Sequence, residues 1–463
     1  VTDPGKMGGA PRETEGEFEF RPFRAWSSVA ILLIFSLLSI LDRQIISLQV
    51  DPIRRSLGLS DTELGLLQGF AFALLYALAG LPLGWAIDRY PRKILLHAGI
   101  TLWSLSAAAT GVARSFWQMF AARTSVGIGE AVLAPAALSL ISDLFPKERV
   151  ATPLGIYSAG FYLGSGAALA IGAYVVSHFS GMDRIVLPFA GQVERWQAVF
   201  IVTGLPGVII ALLAYLLFDP RNPGASTAKA ATQVGFLSFV RANRTILAIS
   251  FCGFGLSSFV AYAIGAWAPT YYMRVHGMEA ADIGPRYGFI LALAAPGAIA
   301  GGILTDSLFR RGEKGSNYVV AGLGTVAATP FLILAFNAST AINSMTLLGI
   351  GMLCYGFTAP GPYSTFNRLA PPELRGRLMA CFVLFHAFVG AGLAPVVVGL
   401  VTDAVFGDDM AVGRSLTIVL GVALPLMAAL LYMAWRSERT PPADGGTNRD
   451  ADSPLSAHIW ANF

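Results

Sequence analysis

The chain has 463 residues, of which 55% are hydrophobic and 13% charged, with a formal net charge of +4. A charged fraction about half that of soluble domains excludes an ordinary water-soluble fold, and apolar stretches long enough to cross a bilayer recur along almost the whole length. The three cysteines, Cys252, Cys354 and Cys381, lie inside apolar stretches and suggest neither a disulfide framework nor a thiolate metal cluster.

Residues 1–25 are polar and carry no small-residue cleavage site, so they are read as a tail before the first span. A bilayer core takes roughly 20 mainly apolar residues per helix. Such segments follow near 26–50, 62–87, 94–113, 117–142, 152–178 and 196–218. A polar linker at 219–245 leads to further segments near 246–272, 283–306, 317–336, 341–367, 378–402 and 413–435, and residues 437–463 form a second tail. Closed barrels are the other way to satisfy backbone polar groups in lipid, but these segments are too long and too uniformly apolar for barrel strands. The expected fold is an all-α integral membrane protein with helical bundles at 26–218 and 246–436. With both ends placed in the cytoplasm, most Lys and Arg residues fall on that side, including Lys6, Lys93, Lys147, Lys229 and Lys314. The positive-inside rule is thereby satisfied. The net charge is an orientation signal and gives no argument for nucleic acid.

A loop device appears twice. Gly84 and Asp88 are followed by Arg89, Arg92 and Lys93, and Gly302 and Asp306 by Arg310 and Arg311. Phe145, Pro146, Lys147, Glu148 and Arg149 after the fourth segment are echoed by Pro371, Pro372, Glu373, Leu374 and Arg375 after the tenth. Matching loops in two six-span halves point to the internal repeat of alternating-access transporters.

The run GWAIDRYPRK, Gly84 to Lys93, resembles the loop signature of the major facilitator superfamily, with Pro91 where that signature has Gly. RTSVGIGEA, from Arg123 to Ala131, is similar to its fourth-span pattern. Gly155, Gly160, Gly164, Gly166 and Gly172 are similar to its glycine-rich antiporter segment, which Ala168 and Ala170 interrupt. More narrowly the chain resembles the spinster lipid transporters, through Leu41-Asp42-Arg43, VGIGEA at 126–131, SDLFP at 142–146 and LGSG at 163–166. This resemblance implies twelve transmembrane helices in two pseudo-symmetric six-helix bundles. It also implies lysophospholipids and sphingosine-phosphate-like lipids as substrates. The matching aspartate of the superfamily latches onto the N-terminal end of the eleventh span and closes the cytoplasmic side. This implies a cytoplasmic gate at Asp88, Arg89, Arg92 and Lys93, with Asp88 opposite the loop around Arg375 to Leu378 and Asp306 as its weaker counterpart.

A charge at mid-membrane costs at least about 2.5 kcal/mol on insertion scales and usually faces a cavity or a partner. Asp42, Arg43, Arg123 and Glu130 fall there. Arg123 and Glu130 are seven apart, so they share a helix face while standing roughly 10 Å apart along the axis. Asp42 and Arg43 point about 100° apart, so their partners come from another helix; the first and fourth spans are expected to meet here. Burial and a neighbouring guanidinium act on a carboxyl in opposite senses, which makes Asp42 and Glu130 the candidate proton-coupling groups. Arg43 and Arg123 are their charge partners or hold an anionic head group through the planar donor fork. A static ion-pair network that fixes helix register is the alternative.

The second half carries no comparable mid-span charge and is rich in aromatic residues: Phe251, Phe254, Phe259, Tyr262, Trp267, Tyr355, Phe357, Tyr363 and Phe366. They are expected to form the apolar wall of a lopsided cavity suited to an amphipathic substrate; filling gaps between helices is the other use of such rings. His97 and His386 fall inside spans, as proton relays or as packed, hydrogen-bonded side chains. The small residues between Gly155 and Gly172 permit close helix contact. The expected function is proton-coupled, alternating-access transport of amphipathic lipids, with the lipid, protons and the bilayer as partners and no cofactor or metal. A drug or metabolite exporter of the same fold is the nearest alternative and a scramblase a more distant one. An intramembrane enzyme finds no GxSxG, HExxH or P-loop signature to support it.

Overall fold

The computed structural model describes residues 21–146, 149, 151–179, 181–182, 184–187, 191–220, 235–371 and 374–439. Most of the expected N-terminal tail, the middle of the linker and the C-terminal tail from residue 440 lie outside them. Among the described residues, ten helices are long and apolar enough to cross a membrane: Pro22–Leu48, Asp61–Gly80, Phe116–Leu144, Arg195–Leu216, Arg244–His276, Ala280–Arg310, Ser316–Ala335, Ala341–Leu369, Arg375–Phe406 and Asp409–Glu438. Arg92–Thr110 and Ala151–His178 are helices at the third and fifth expected positions. The fold is that of an all-α membrane protein, and ordinal span numbers below follow this order. Large side chains such as Leu78, Ile209, Ile299, Leu323 and Val422 are more than half exposed. On a soluble protein so much outward apolar surface would be an aggregation hazard; in lipid it is the ordinary outer face.

Local chemistry sets the helix ends. Ser60 forms a capping box with Glu63, Ser115 accepts from the Gln118 amide, and Thr340 from that of Asn343. Gly277 ends the seventh span at φ 63°, a left-handed conformation that costs glycine little. The second span passes through a π-helical turn at Leu66–Phe70 and continues as the helix Ala71–Arg89. The turn to the third span is short because Tyr90 is extended and Pro91 directly precedes the helix that begins at Arg92. Proline at 91 thus makes the turn by fixing φ rather than by the freedom a glycine would supply.

Contacts divide the chain into two units, residues 1–229 with 278–288, and residues 230–277 with 289–463. The core of the first unit includes Leu32, Phe35, Leu96, Ile100, Trp103, Val126, Leu140 and Ile141. Within it Gly160, Gly164 and Gly172 of the fifth span pack against Leu33, Ile40 and Ile45 of the first. The core of the second unit holds Phe254, Tyr318, Phe366, Phe382 and Leu431. A two-stranded antiparallel hairpin that the sequence reading did not anticipate, Arg184–Leu187 with Gly191–Glu194, joins the fifth and sixth spans, with Ile185 opposite Val193.

Candidate functional site

The first and fourth spans meet at their charges. Arg123 and Glu130, two turns apart on the helix Phe116–Glu130, are each 1% exposed. Glu130 Oε2 accepts from Ser39 Oγ and Arg43 Nε, both at 2.6 Å, and lies 2.5 Å from Arg43 Nη2. Arg123 Nη1 donates to the Asp42 backbone carbonyl at 3.1 Å. The register is antiparallel: Ser39 faces Glu130 while Asp42 faces Arg123.

Two aromatic rings of the second span support this pair. Phe72 and Tyr76, one turn apart, stack at 5.1 Å, and the Arg43 guanidinium lies 4.4 Å from the Phe72 centroid and 5.2 Å from that of Tyr76. Cation–π attraction and the shared carboxylate oxygen hold Arg43 in one orientation. Asp42 differs. It is 1% exposed, and neither carboxylate oxygen has a hydrogen-bond partner among the described residues, nor does Glu130 Oε1. One buried carboxylate is therefore tied to a guanidinium and the other is not. Ser39, Phe72 and Tyr76 were missed in the sequence; the four-residue spacing of the two rings was the available signal.

The residues expected at the cytoplasmic gate separate into different environments. The Asp88 side chain lies outside the described residues. Arg89 is exposed and stacks on Trp85 at 4.1 Å, and Lys93 Nζ reaches the Tyr215 carbonyl at 3.4 Å. Arg92 is 1% exposed: it pairs with Asp143 of the fourth span, donates to Ser139 at 2.6 Å and lies 3.4 Å from Asp219. Arg92 thus opens a new helix and braces the interior of the first unit, while Arg89 lies on the outside. Asp143 entered only within the SDLFP run and Asp219 not as a site residue, because a partner 51 or 127 residues away leaves no local pattern. Asp306, 67% exposed, lies 3.8 Å from Arg368, which also stacks on Phe309 and donates to Ser316.

The residues expected to form the aromatic wall differ in burial as well. Phe254, Trp267 and Phe366 are fully buried within the second unit, and Tyr355 is nearly so. Phe251 packs edge-on against Phe366 at 5.0 Å and Phe382 at 5.4 Å, and Phe254 stacks with Tyr318. Trp267 Nε1 donates to the Pro395 carbonyl at 2.9 Å, and the Tyr355 hydroxyl to that of Ser257. These rings fill space between helices, where burying apolar area stabilises the bundle. Phe259, Tyr262 and Phe357 are half-buried and Tyr363 is exposed. Of the two histidines, His97 packs 5.0 Å from Tyr215 with Nδ1 buried and unpartnered among the described residues, and His386 packs 5.2 Å from Phe382.

A twelve-helix repeat with a buried charge cluster in its first half defines a membrane transporter. Residues 32–395 match the Major Facilitator Superfamily, and the chain belongs to that family. It is 28% identical over 417 residues to an MFS-type efflux pump of Mycolicibacterium smegmatis, covering 89% of this chain and 92% of that protein. It is 24% identical to the protein spinster of Drosophila melanogaster, over 82% of this chain and 62% of the fly protein. Among solved structures it is similar to a bacterial homologue of the human lysosomal transporter spinster in an inward-facing, unoccupied conformation. The TM-score is 0.76 at 25% identity, covering 91% of this chain and all of that one.

Proposed function

We propose that this protein is a proton-coupled transporter of amphipathic molecules with an anionic head group, of the lysophospholipid or sphingosine-phosphate class. The observation that carries the reading is the inequality of its two buried carboxylates: Glu130 is held by Arg43 and Ser39, while Asp42 has no hydrogen-bond partner among the described residues. A proton added to Glu130 weakens its hold on Arg43, whose donor fork then suits a phosphate. The deprotonated Glu130 carboxylate and the head group thereby compete for one guanidinium, so that proton uptake favours head-group binding, which is the differential interaction a coupled switch requires. Similarity to spinster proteins supports the lipid class. The Lys and Arg distribution supports a cytoplasmic or plasma membrane location with both termini in the cytoplasm.

The test is uptake of lysolipids by the protein reconstituted in liposomes, with and without an imposed pH gradient. Gradient-driven uptake is expected in the wild type and its loss in Glu130→Gln and Asp42→Asn at equal reconstitution. A pH dependence that survives in both variants removes these residues from coupling. A second reading, export of drugs or small metabolites, is favoured by the efflux-pump relative. Competition separates the two, since hydrophobic drugs lacking a head group block lysolipid uptake only if they share its site.

A further inference from the structure

The second span places a neutral polar residue beside the coupling carboxylates that the proposed mechanism leaves unused. Gln68 lies within the π-helical turn Leu66–Phe70, in which the Ala71 amide bonds back to the Leu66 carbonyl. Such turns bulge a helix and recur at functional sites. One turn further on, the Phe72 carbonyl packs against Gly127 of the fourth span, where an added Cβ would also lie 3.2 Å from the Tyr76 amide. The second and fourth spans run in the same direction, so one turn back from this contact, about 5.4 Å, stand Gln68 on one helix and Arg123 with Thr124 on the other. Arg123 in turn donates to the Asp42 carbonyl of the first span. Three helices thus converge on one layer.

Several side-chain polar atoms of that layer lack partners among the described residues. Asp42 Oδ1 and Oδ2, Gln68 Oε1 and Nε2, Thr124 Oγ1 and Arg123 Nε are all buried without a hydrogen bond among the described residues. A buried polar group left unpaired costs about 1–3 kcal/mol, so a set of them on three helices implies a bound species. A metal cation would serve the oxygens alone, leave the N–H groups of Gln68 and Arg123 unmet, and sit beside the Arg123 charge. Water donates and accepts, and buried waters typically make about three hydrogen bonds to such groups.

We propose that Asp42, Gln68, Thr124 and Arg123 enclose a buried water cluster through which protons reach the Asp42 carboxylate, with Gln68 and Thr124 as positioning residues. The proton-carrying role rests on the reading of Asp42 as a coupling group; the hydration does not. The charged groups around the cluster are Arg43 on the helix of Asp42 and Arg123 and Glu130 on the fourth span. The second span adds Tyr76, and the fifth adds Tyr157, which Ser36 joins at 3.0 Å.

The test is X-ray radiolytic footprinting in lipid nanodiscs made up in H₂¹⁸O, which labels side chains beside bound water even when bulk solvent is excluded. Labelling is expected around Gln68 and absent from the dry core pair Leu140 and Ile141. It should be lost in the double variant Gln68→Leu with Thr124→Val, and retained in Thr124→Ser. A wild type without label at Gln68, or label that survives in the double variant, overturns the proposal. So does a thermal shift on exchanging choline chloride for sodium chloride that requires Gln68 and Thr124, since the occupant would then be a cation. Gradient-driven uptake is measured in parallel. Label present at Gln68 with transport indifferent to Asp42→Asn would reject the coupling reading while leaving the hydration standing.

Discussion

At the residue scale, the Arg43–Glu130 pair ties the first span to the fourth through a charge-assisted hydrogen bond. The Glu130 side chain is 0% exposed and that of Arg43 24%, so the pair is largely desolvated. Removing one member of a buried pair costs about 3–5 kcal/mol, chiefly because the other charge stays behind; partial exposure of Arg43 puts Arg43→Ala near the lower end. A clear fall in melting temperature in detergent is expected, partly restored by Arg43→Lys, which returns the charge without the planar fork. A melting temperature equal to that of the wild type would show that solvent already screens the pair. The insertion cost made all four charges visible in the sequence. It did not reveal their inequality, because Asp42 and Arg43 are neighbours in the chain and only the rotation of the helix decides which one reaches Glu130.

At the element scale, close backbone approach decides how the helices of the first unit pack. A Cβ placed on Gly129 would lie 2.7 Å from both the Gly99 carbonyl oxygen and the Trp103 amide nitrogen. Backbone cannot turn aside as a flexible side chain can, so Gly129→Ala must push the third and fourth spans apart. Overpacking of this kind costs typically about 1–3 kcal/mol. Lowered thermal stability is expected, along with displacement of Glu130, the next residue, read as loss of gradient-driven uptake. Normal stability with normal uptake would mean that the helices separate freely at this point. Span positions were legible because twenty apolar residues have few other uses. The hairpin was not, since Arg184–Leu187 and Gly191–Glu194 are four-residue runs between two long apolar helices and offer no period to read.

At the scale of the whole molecule, the repeated loops proved readable as a repeat but not as chemistry. Asp88 and Asp306 stand near matching helix ends, yet the arginine buried beyond Asp88 is Arg92, which pairs with Asp143 and Asp219. The aromatic residues of the second half were legible as a group, but their composition alone could not distinguish rings that line a cavity from rings that fill a core. The proposed latch at Asp88 belongs to this scale. Asp88→Asn is expected to raise the inward-open population, measured by electron-spin distances between labels on the cytoplasmic faces of the two halves. Unchanged distance distributions would leave Asp88 with a topological role only.

The two units also fasten their loop ends by different means. Arg92 is sealed from solvent, whereas Asp306 meets Arg368 in the open. Dissolved ions screen exposed charges over about 10 Å at 0.1 M and reach buried pairs far less. Raising ionic strength should therefore speed amide exchange around Asp306 and Ser316 and leave Arg92 to Leu96 protected; equal acceleration at both ends would show that Arg92 is reached by solvent. With exchange speeded at Asp306 alone, the second half is the ionic-strength-sensitive half of the carrier, so that the salt of the surrounding compartment acts on one side of the repeat and spares the other.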